Sequence, residues 1–281
     1  MDKVVSIEKL QRIAQEIRVN VVRSLAASGS GHLGGSLGLA DVFTALYFHV
    51  MNHQPENPQW DYRDRLILSI GHVAPVLYAT LAQAGYFHTS ELLTLRQLGS
   101  RLQGHPGKDH GLPGIEISSG SLGQGLSVSV GLALGAQMDK KNCKIYTILG
   151  DGELQEGSVW EAAMSAAHYQ LDNLVAIVDR NFKQIDGDTE DVMALEPLVD
   201  KWKAFGWDCY LCNGNEMKQV TDTLNKLKNQ KGKPAVVLAE TKMGKGVVSI
   251  EDDYRWHGKA PSPQEAEQFI EELQKQYHGE I

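Results

Sequence analysis

The 281-residue chain has only three cysteines, an odd number. A disulfide framework needs pairs, so the fold must be held by an apolar core instead. Cys209 and Cys212 do form a C-x-x-C, but no second Cys or His pair follows at metal-ligand spacing, and a tetrahedral zinc site needs four ligands. Both are read as ordinary residues of a strand-like segment, Gly206 to Cys212. Positive charge is sparse and scattered: 27 Lys and Arg stand against 35 Asp and Glu, a formal net charge of -8. That balance repels a phosphate backbone and excludes nucleic acid as a partner. The long apolar helical stretches carry polar faces, which excludes a membrane span, and the 42% hydrophobic and 22% charged fractions predict a soluble protein. Met1 to Leu10 lack a basic stretch leading into an apolar core and a cleavage site, so the expected location is cytoplasmic. Internal repeats, low-complexity runs and Pro/Gly/Ser linkers are also lacking, and one domain over residues 1–281 is the simplest organisation.

What is present is a regular alternation of patterns. Ile7, Leu10, Ile13, Ile17, Val21 and Leu25 recur at helical spacing behind a potential Ser6 cap, and the helix should end at the glycines after Ser28. Leu39 to Val50 predicts a second helix, and Arg65 to Ile70 a buried strand leading into Gly71-His72. Helix 122–138 then precedes strand 144–149, helix 159–169 precedes strand 174–179, and helix 217–228 precedes strand 235–241. A last helix covers about Pro263 to Tyr277. Continuously apolar strands separated by helices predict an α/β fold, a parallel sheet with helices on both faces. In such a sheet ligands bind beyond the carboxyl ends of the strands. The loops expected there carry Gly71-His72, Gly150-Asp151-Gly152 and Asp179-Arg180-Asn181.

Gly29, Gly31 and Gly34 spell the G-x-G-x-x-G of a dinucleotide site, but they follow a helix where that fingerprint must follow a strand. The specific signal is Gly150-Asp151-Gly152, separated from Asn181 by residues 153–180. Its glycines allow close approach of an anionic ligand and should leave amide N–H groups free to bind it, beside a helix start that favours phosphate. Asp151 and Asn181 offer hard oxygen ligands, which suit Mg2+ completed by diphosphate oxygens, a backbone carbonyl and water. Taken alone the G-D-G is an ordinary tight turn, and the paired spacing is what singles it out. Of ten histidines, His32, His72, His105 and His257 sit beside glycine in loops predicted at the ligand edge, where imidazole can donate or accept a proton near neutral pH. The other six are read as surface or capping residues.

G-D-G followed by Asn at this distance resembles the thiamine diphosphate motif of transketolases. Ser30-Gly31-His32, Leu68-Ser69-Ile70-Gly71-His72, Gly104-His105-Pro106, Gly120-Ser121-Leu122-Gly123-Gln124-Gly125 and Trp256-His257-Gly258-Lys259 are similar to that family's motifs, in its order. The resemblance covers nearly the whole chain and implies a thiamine diphosphate-binding fold. It implies a metal, Mg2+ with Ca2+ and Mn2+ as alternatives, held by Asp151, Asn181 and the Lys183 carbonyl. It implies cofactor contacts from His72, Gly120, Leu122, Gly150, Asp151, Gly152, Glu153, Asn181, Ile185 and His257. His32, His105 and His257 would face the substrate, and Glu156 would lie at a subunit contact, linked to a partner's catalytic glutamate. The implied reaction moves a two-carbon glycolaldehyde unit from a ketose (phosphate) to an aldose (phosphate).

Two departures qualify the resemblance. Leu33 stands where many transketolases have Pro, a variation shared with deoxyxylulose phosphate synthase. Transketolases also continue with a pyrimidine-binding and a C-terminal domain, so this chain is expected to be the N-terminal subunit of a split transketolase. Its partner would be a C-terminal subunit with the pyrimidine-binding domain, in a dimer of two-chain units. The alternatives are the α subunit of a 2-oxo acid dehydrogenase, which Gly104-His105-Pro106 and Trp256-His257-Gly258-Lys259 disfavour, and a non-catalytic scaffold subunit, which Asp151 and Asn181 disfavour.

Overall fold

A computed structural model of the chain describes residues 5–278. Helix α1 (Ile7–Ser28) starts where the Ser6 side chain accepts from the Lys9 N–H and ends on Gly29 in the left-handed conformation, so both expected caps are present. Helices α2 (Gly34–Gly38) and α3 (Ala40–Ala45) lead to strand β1 (Arg65–Leu68) and helix α4 (Ala74–Gln83). Helix α5 (Gln124–Met138), strand β2 (Ile145–Gly150), helix α6 (Gly157–His168) and strand β3 (Leu174–Arg180) follow. A two-residue ribbon, β4 (Lys183–Gln184) with β5 (Gly187–Asp188), precedes helices α7 (Thr189–Met193) and α8 (Leu198–Ala204). Strand β6 (Asp208–Asn213), helix α9 (Met217–Leu227), strand β7 (Ala235–Glu240) and helix α10 (Pro263–His278) complete the order.

The five long strands pair in parallel in the order β1-β2-β3-β7-β6. One apolar cluster joins one face of this sheet to α1, α3, α4, α9 and α10, through residues such as Leu10, Phe43, Leu77, Leu224 and Phe269. The second joins the other face to α5, α6 and α8 through Leu126, Val159 and Trp202. The central strands β2 and β3 are therefore covered on both sides, as their unbroken apolar runs require. After β3 the chain crosses to the far edge at β6 and returns to β7, so α8 and α9 lie on opposite faces. The crevice of such a reversal opens beyond the carboxyl ends of β3 and β7. Register brings Gly150, Asp179 and Ala239 level there.

One expectation is overturned. Residues 39–50 do not form a single helix: α3 stops at Ala45 and Leu46–Val50 is a π-helical turn, while α2 forms upstream from a glycine-rich stretch. Tertiary packing decides the upstream helix. A Cβ on Gly34 would lie 2.4 Å from Met243 Cγ, and one on Gly38 2.8 Å from the Lys242 carbonyl oxygen. The glycines thus let α2 press against the loop after β7, outweighing their poor helix propensity. Cys209 packs into one cluster and Cys212 into the other, on opposite faces of β6. Burial pushes both thiols up to about 11, so they are core residues and cannot share a metal. Among the described residues no helix is long and apolar enough to cross a membrane.

Candidate functional site

The turn after β2 and the end of β3 form the floor of a cavity of about 300 Å3, which Gly150, Asp151, Gly152, Asp179 and Asn181 line together. His72 and His257 reach it from the loops after β1 and before α10, and Leu122, Glu156, Lys183 and Ile185 from its rim. Residues far apart in the chain meet here because every one follows a strand or a crossover at the same sheet edge.

Asp151 is 2% exposed. Its Oδ2 accepts from the Phe182 N–H at 2.8 Å, Arg180 Nη1 at 3.2 Å and Thr189 Oγ1 at 3.4 Å, whereas Oδ1 accepts only from the Gly152 N–H at 2.8 Å. Asn181 donates from Nδ2 to Asp179 Oδ2 at 2.8 Å, which turns its own Oδ1 away from that acid, and Oδ1 accepts from the Lys183 N–H at 2.9 Å. Burial raises the Asp151 carboxyl to about 6, against the opposing pull of Arg180. It raises Asp179 to about 7, with the Asp151 charge adding to the effect, although Thr241 and Asn181 donate to it. Two buried acids that repel each other at the floor of one cavity favour a cation bound beside them. Among the described residues no three His, Cys, Asp or Glu gather as a metal cluster. A hard divalent ion at this site would therefore draw on amide, carbonyl and ligand oxygens, and the donor set fits.

The glycine amides depart from expectation. The Gly150 N–H donates to Glu153 Oε2 at 3.1 Å, and the Gly152 N–H to Asp151 Oδ1. Both amides are satisfied within the turn, because side chains placed one and three residues along fold back over it. Glu153, 2% exposed, also accepts from the Gly123 N–H at 2.7 Å and from Ser69 Oγ. Its carboxylate bolts together the loops after β1, before α5 and after β2, which leaves it little capacity for a ligand.

Four histidines form a second feature. His32 lies 5.1 Å from His72, 5.9 Å from His257 and 6.4 Å from His105, between ring centroids. His105 is exposed and lies outside the cavity, in a neighbouring hollow beside Arg96 and Gly104. Gly120 is likewise outside, packed under the His105 ring. Burial lowers all four rings; the mutual influence of the clustered rings adds to the effect for His32 and His72, and Arg96 adds to it for His32 and His105. His32 falls to about 4 and His72 to about 3, so both are neutral at physiological pH. The Nδ1 atoms of His32 and His257 are buried without a hydrogen-bond partner, which suits groups aimed at a bound molecule.

A pH prediction follows from these rings. Below the unfolded value of about 6.5 an unfolded chain takes up a proton at His72 that the folded chain refuses until about 3, so folded stability is lost as pH falls through that window. Asp151 and Asp179 act with the opposite sign, because their raised folded values favour the folded state as pH falls. Comparing His72→Gln with wild type cancels the acids. The variant should gain on wild type by about 1 kcal/mol per pH unit between pH 6.5 and 4.5 in urea denaturation. A difference independent of pH would show that the ring is free to charge.

The sequence places Asp179 and Arg180 at the ligand edge but assigns neither a role of its own. Asp179 orients Asn181, and the buried Arg180 guanidinium spans Asp151, Glu190 and Glu196. The only sequence signal for either is an ionisable residue at the carboxyl end of an otherwise apolar strand.

Residues 9–278 match the family described as the transketolase thiamine diphosphate-binding domain. The chain is 42% identical over 267 residues to an apulose-4-phosphate transketolase subunit of Phocaeicola vulgatus, covering 95% of this chain and 94% of that one. It is 43% identical to a 6-deoxy-6-sulfo-D-fructose transketolase subunit of Clostridium sp., covering 95% and 97%. Human transketolase is 36% identical over 96% of this chain, which spans 43% of that longer protein. Among solved structures, transketolase from Campylobacter jejuni superposes with a TM-score of 0.84 at 34% identity, over 95% of this chain and 43% of that one. Transketolase from Leishmania mexicana superposes at 0.88 and 31% identity, over 98% and 41%. The chain therefore belongs to the transketolase family, which it matches through the thiamine diphosphate-binding domain.

Proposed function

We propose that this chain holds the diphosphate end of thiamine diphosphate together with Mg2+, and that a second subunit completes the active site over the same cavity. The observation that carries the reading is the convergence of Asp151, Asn181, His72 and His257 on one cavity at the carboxyl edge of the sheet. When bound, thiamine diphosphate supplies the electron sink that lets the carbon–carbon bond beside a ketose carbonyl break and re-form. Asp151 and Asn181 would hold the cation through side-chain oxygens and Lys183 through its carbonyl, with Ca2+ and Mn2+ as substitutes. His72 and His257 would donate to the diphosphate. Gly120, Leu122, Gly150, Gly152, Glu153 and Ile185 would shape the cofactor's surroundings. Given the bonds described above, Glu153 does so by holding loops, and Gly152 N–H by sharing itself between Asp151 and the diphosphate.

His32, His105 and His257 would face the sugar, where neutral imidazoles donate to hydroxyls and accept the protons released. Glu156 is exposed on this chain beside the cavity, ready to meet an acid of the partner. The two relatives are named for a sugar phosphate and a sulfonated sugar, which supports a ketose with an anionic end as substrate here. Cytoplasmic location and an assembly of two two-chain units remain part of the same proposal.

Calorimetric titration of thiamine diphosphate at saturating Mg2+, with the partner subunit present, tests the cofactor reading. Absence of binding would replace it with a scaffold role. On the substrate side, His105→Ala should lower kcat/KM about 10- to 100-fold while cofactor affinity stays near wild type, because His105 lies outside the cavity. If the main loss is instead in cofactor affinity, His105 belongs to the diphosphate end.

A further inference from the structure

Arg180 ends strand β3 with its side chain only 3% exposed. A guanidinium that deep must be compensated, and here one fork serves three carboxylates. Nη1 donates to Asp151 Oδ2 at 3.2 Å, while Nη2 donates to Glu190 Oε1 at 2.8 Å and Glu196 Oε1 at 3.0 Å. The group also lies 4.1 Å over the Phe182 ring. On its outer side the ordering continues: Glu190 accepts from the Leu195 N–H at 3.2 Å, and Glu196 Oε2 from the Leu198 N–H at 2.7 Å. Arg180 thus connects the floor of the cavity to the segment 189–196 through a chain of hydrogen bonds.

The consequence for Asp151 is an asymmetry between its two oxygens. Oδ2 accepts from three donors and has no lone pair left, whereas Oδ1 accepts from one and retains a site. We infer that Arg180 is a positioning residue: it fixes Asp151 as a single-oxygen ligand, through Oδ1, for the divalent cation, and it ties occupancy of that cation site to the order of segment 189–196. The inference rests on the reading of Asp151 as a cation ligand given above.

Electrostatics and positioning make opposite predictions. If Arg180 only neutralised charge, removing it would leave the site more negative and would tighten cation binding. If it positions Asp151, removing it frees the carboxylate to rotate, and affinity falls. A lysine keeps the charge but lacks the planar fork that reaches three acids at once.

The test measures two quantities on the intact chain with its partner subunit: thiamine diphosphate affinity at saturating Mg2+, and amide hydrogen exchange across residues 187–196 with and without cofactor. Arg180→Gln and Arg180→Lys should both lose about tenfold or more in affinity, the usual effect of losing a metal ligand's support. In both, cofactor should no longer slow exchange in that segment. Glu190 and Glu196 are partly exposed, so the double change Glu190→Gln, Glu196→Gln cuts the outer half of the link without emptying the core. It should lose protection and weaken affinity several-fold even if the Arg180 variants fail to fold. Tighter or unchanged binding with normal protection in the double variant, or rescue by Arg180→Lys, would overturn the inference. Asp151→Ala separates this from the underlying reading: if that change leaves affinity intact, the cation assignment itself fails, whatever Arg180 does.

Discussion

Asp151→Ala should reduce thiamine diphosphate affinity at fixed Mg2+ by on the order of a hundredfold or more, because even the outer partners of metal ligands contribute about 10- to 100-fold. Asp151 offers the charged ligand of the proposed set, the others being an amide oxygen and a carbonyl. Asp179, the other buried acid at the site, accepts from Thr241 and Asn181 and so cannot readily take its place. The fold should survive. Arg180 keeps Glu190 and Glu196 as partners, and a buried carboxyl held up at about 6 is itself a cost that alanine removes. Calorimetry of cofactor binding and circular dichroism of the unliganded chain check the two halves of the expectation. Wild-type affinity in the variant would move the cation elsewhere. A lost fold would make Asp151 a structural residue first.

The second large effect is a requirement. The purified chain with Mg2+ and thiamine diphosphate should show no ketose-to-aldose transfer above background, and addition of a subunit carrying the pyrimidine-binding domain should restore it. The cavity built here supplies groups for an anion and a cation: Asp151, Asn181, His72 and His257. Among the residues lining it the acids are Asp151, Glu153, Glu156 and Asp179. Asp151 and Asp179 face the proposed cation, and Glu153 is spent on Ser69, Gly123 and Gly150. Glu156 alone remains exposed. In the proposed reading a carboxylic acid for the far end of the cofactor comes from the partner subunit, with Glu156 as its neighbour, where two acids in contact would share a proton. Glu156→Gln should weaken assembly, read as a shift in sedimentation of the mixed subunits. Robust turnover by this chain alone would end the two-chain proposal.

Much of this architecture was legible in the sequence because its causes are local. The apolar periodicity of residues 7–25 and the unbroken runs of β2 and β3 specify which segments are helix and which are buried strand. An alternation of the two leaves a parallel sheet as the economical arrangement, and a parallel sheet sends the loops after its strands to one edge. Gly71-His72, Gly150-Asp151-Gly152 and Asn181 could therefore be assigned to a common site before any contact was known. Helix α2 lay beyond that reasoning, because what admits it is the fit of Gly34 and Gly38 against Met243 and Lys242, about two hundred residues away.

The chemistry of the site divides along the same line. Sequence alone determined which residue types stand at the sheet edge, since order along the chain and spacing after each strand suffice for that. Only the tertiary structure decided what each is free to do. Glu153 is withdrawn from ligand binding by Ser69, 84 residues away, and His32 and His72 are made neutral by burial beside His257. Asp151 has one oxygen taken up by Arg180, Phe182 and Thr189 and the other left available. Hydrogen-bond saturation and desolvation are properties of the atoms that surround a group. Those atoms come from parts of the chain that meet only when the sheet and its two layers of helices have closed around the site.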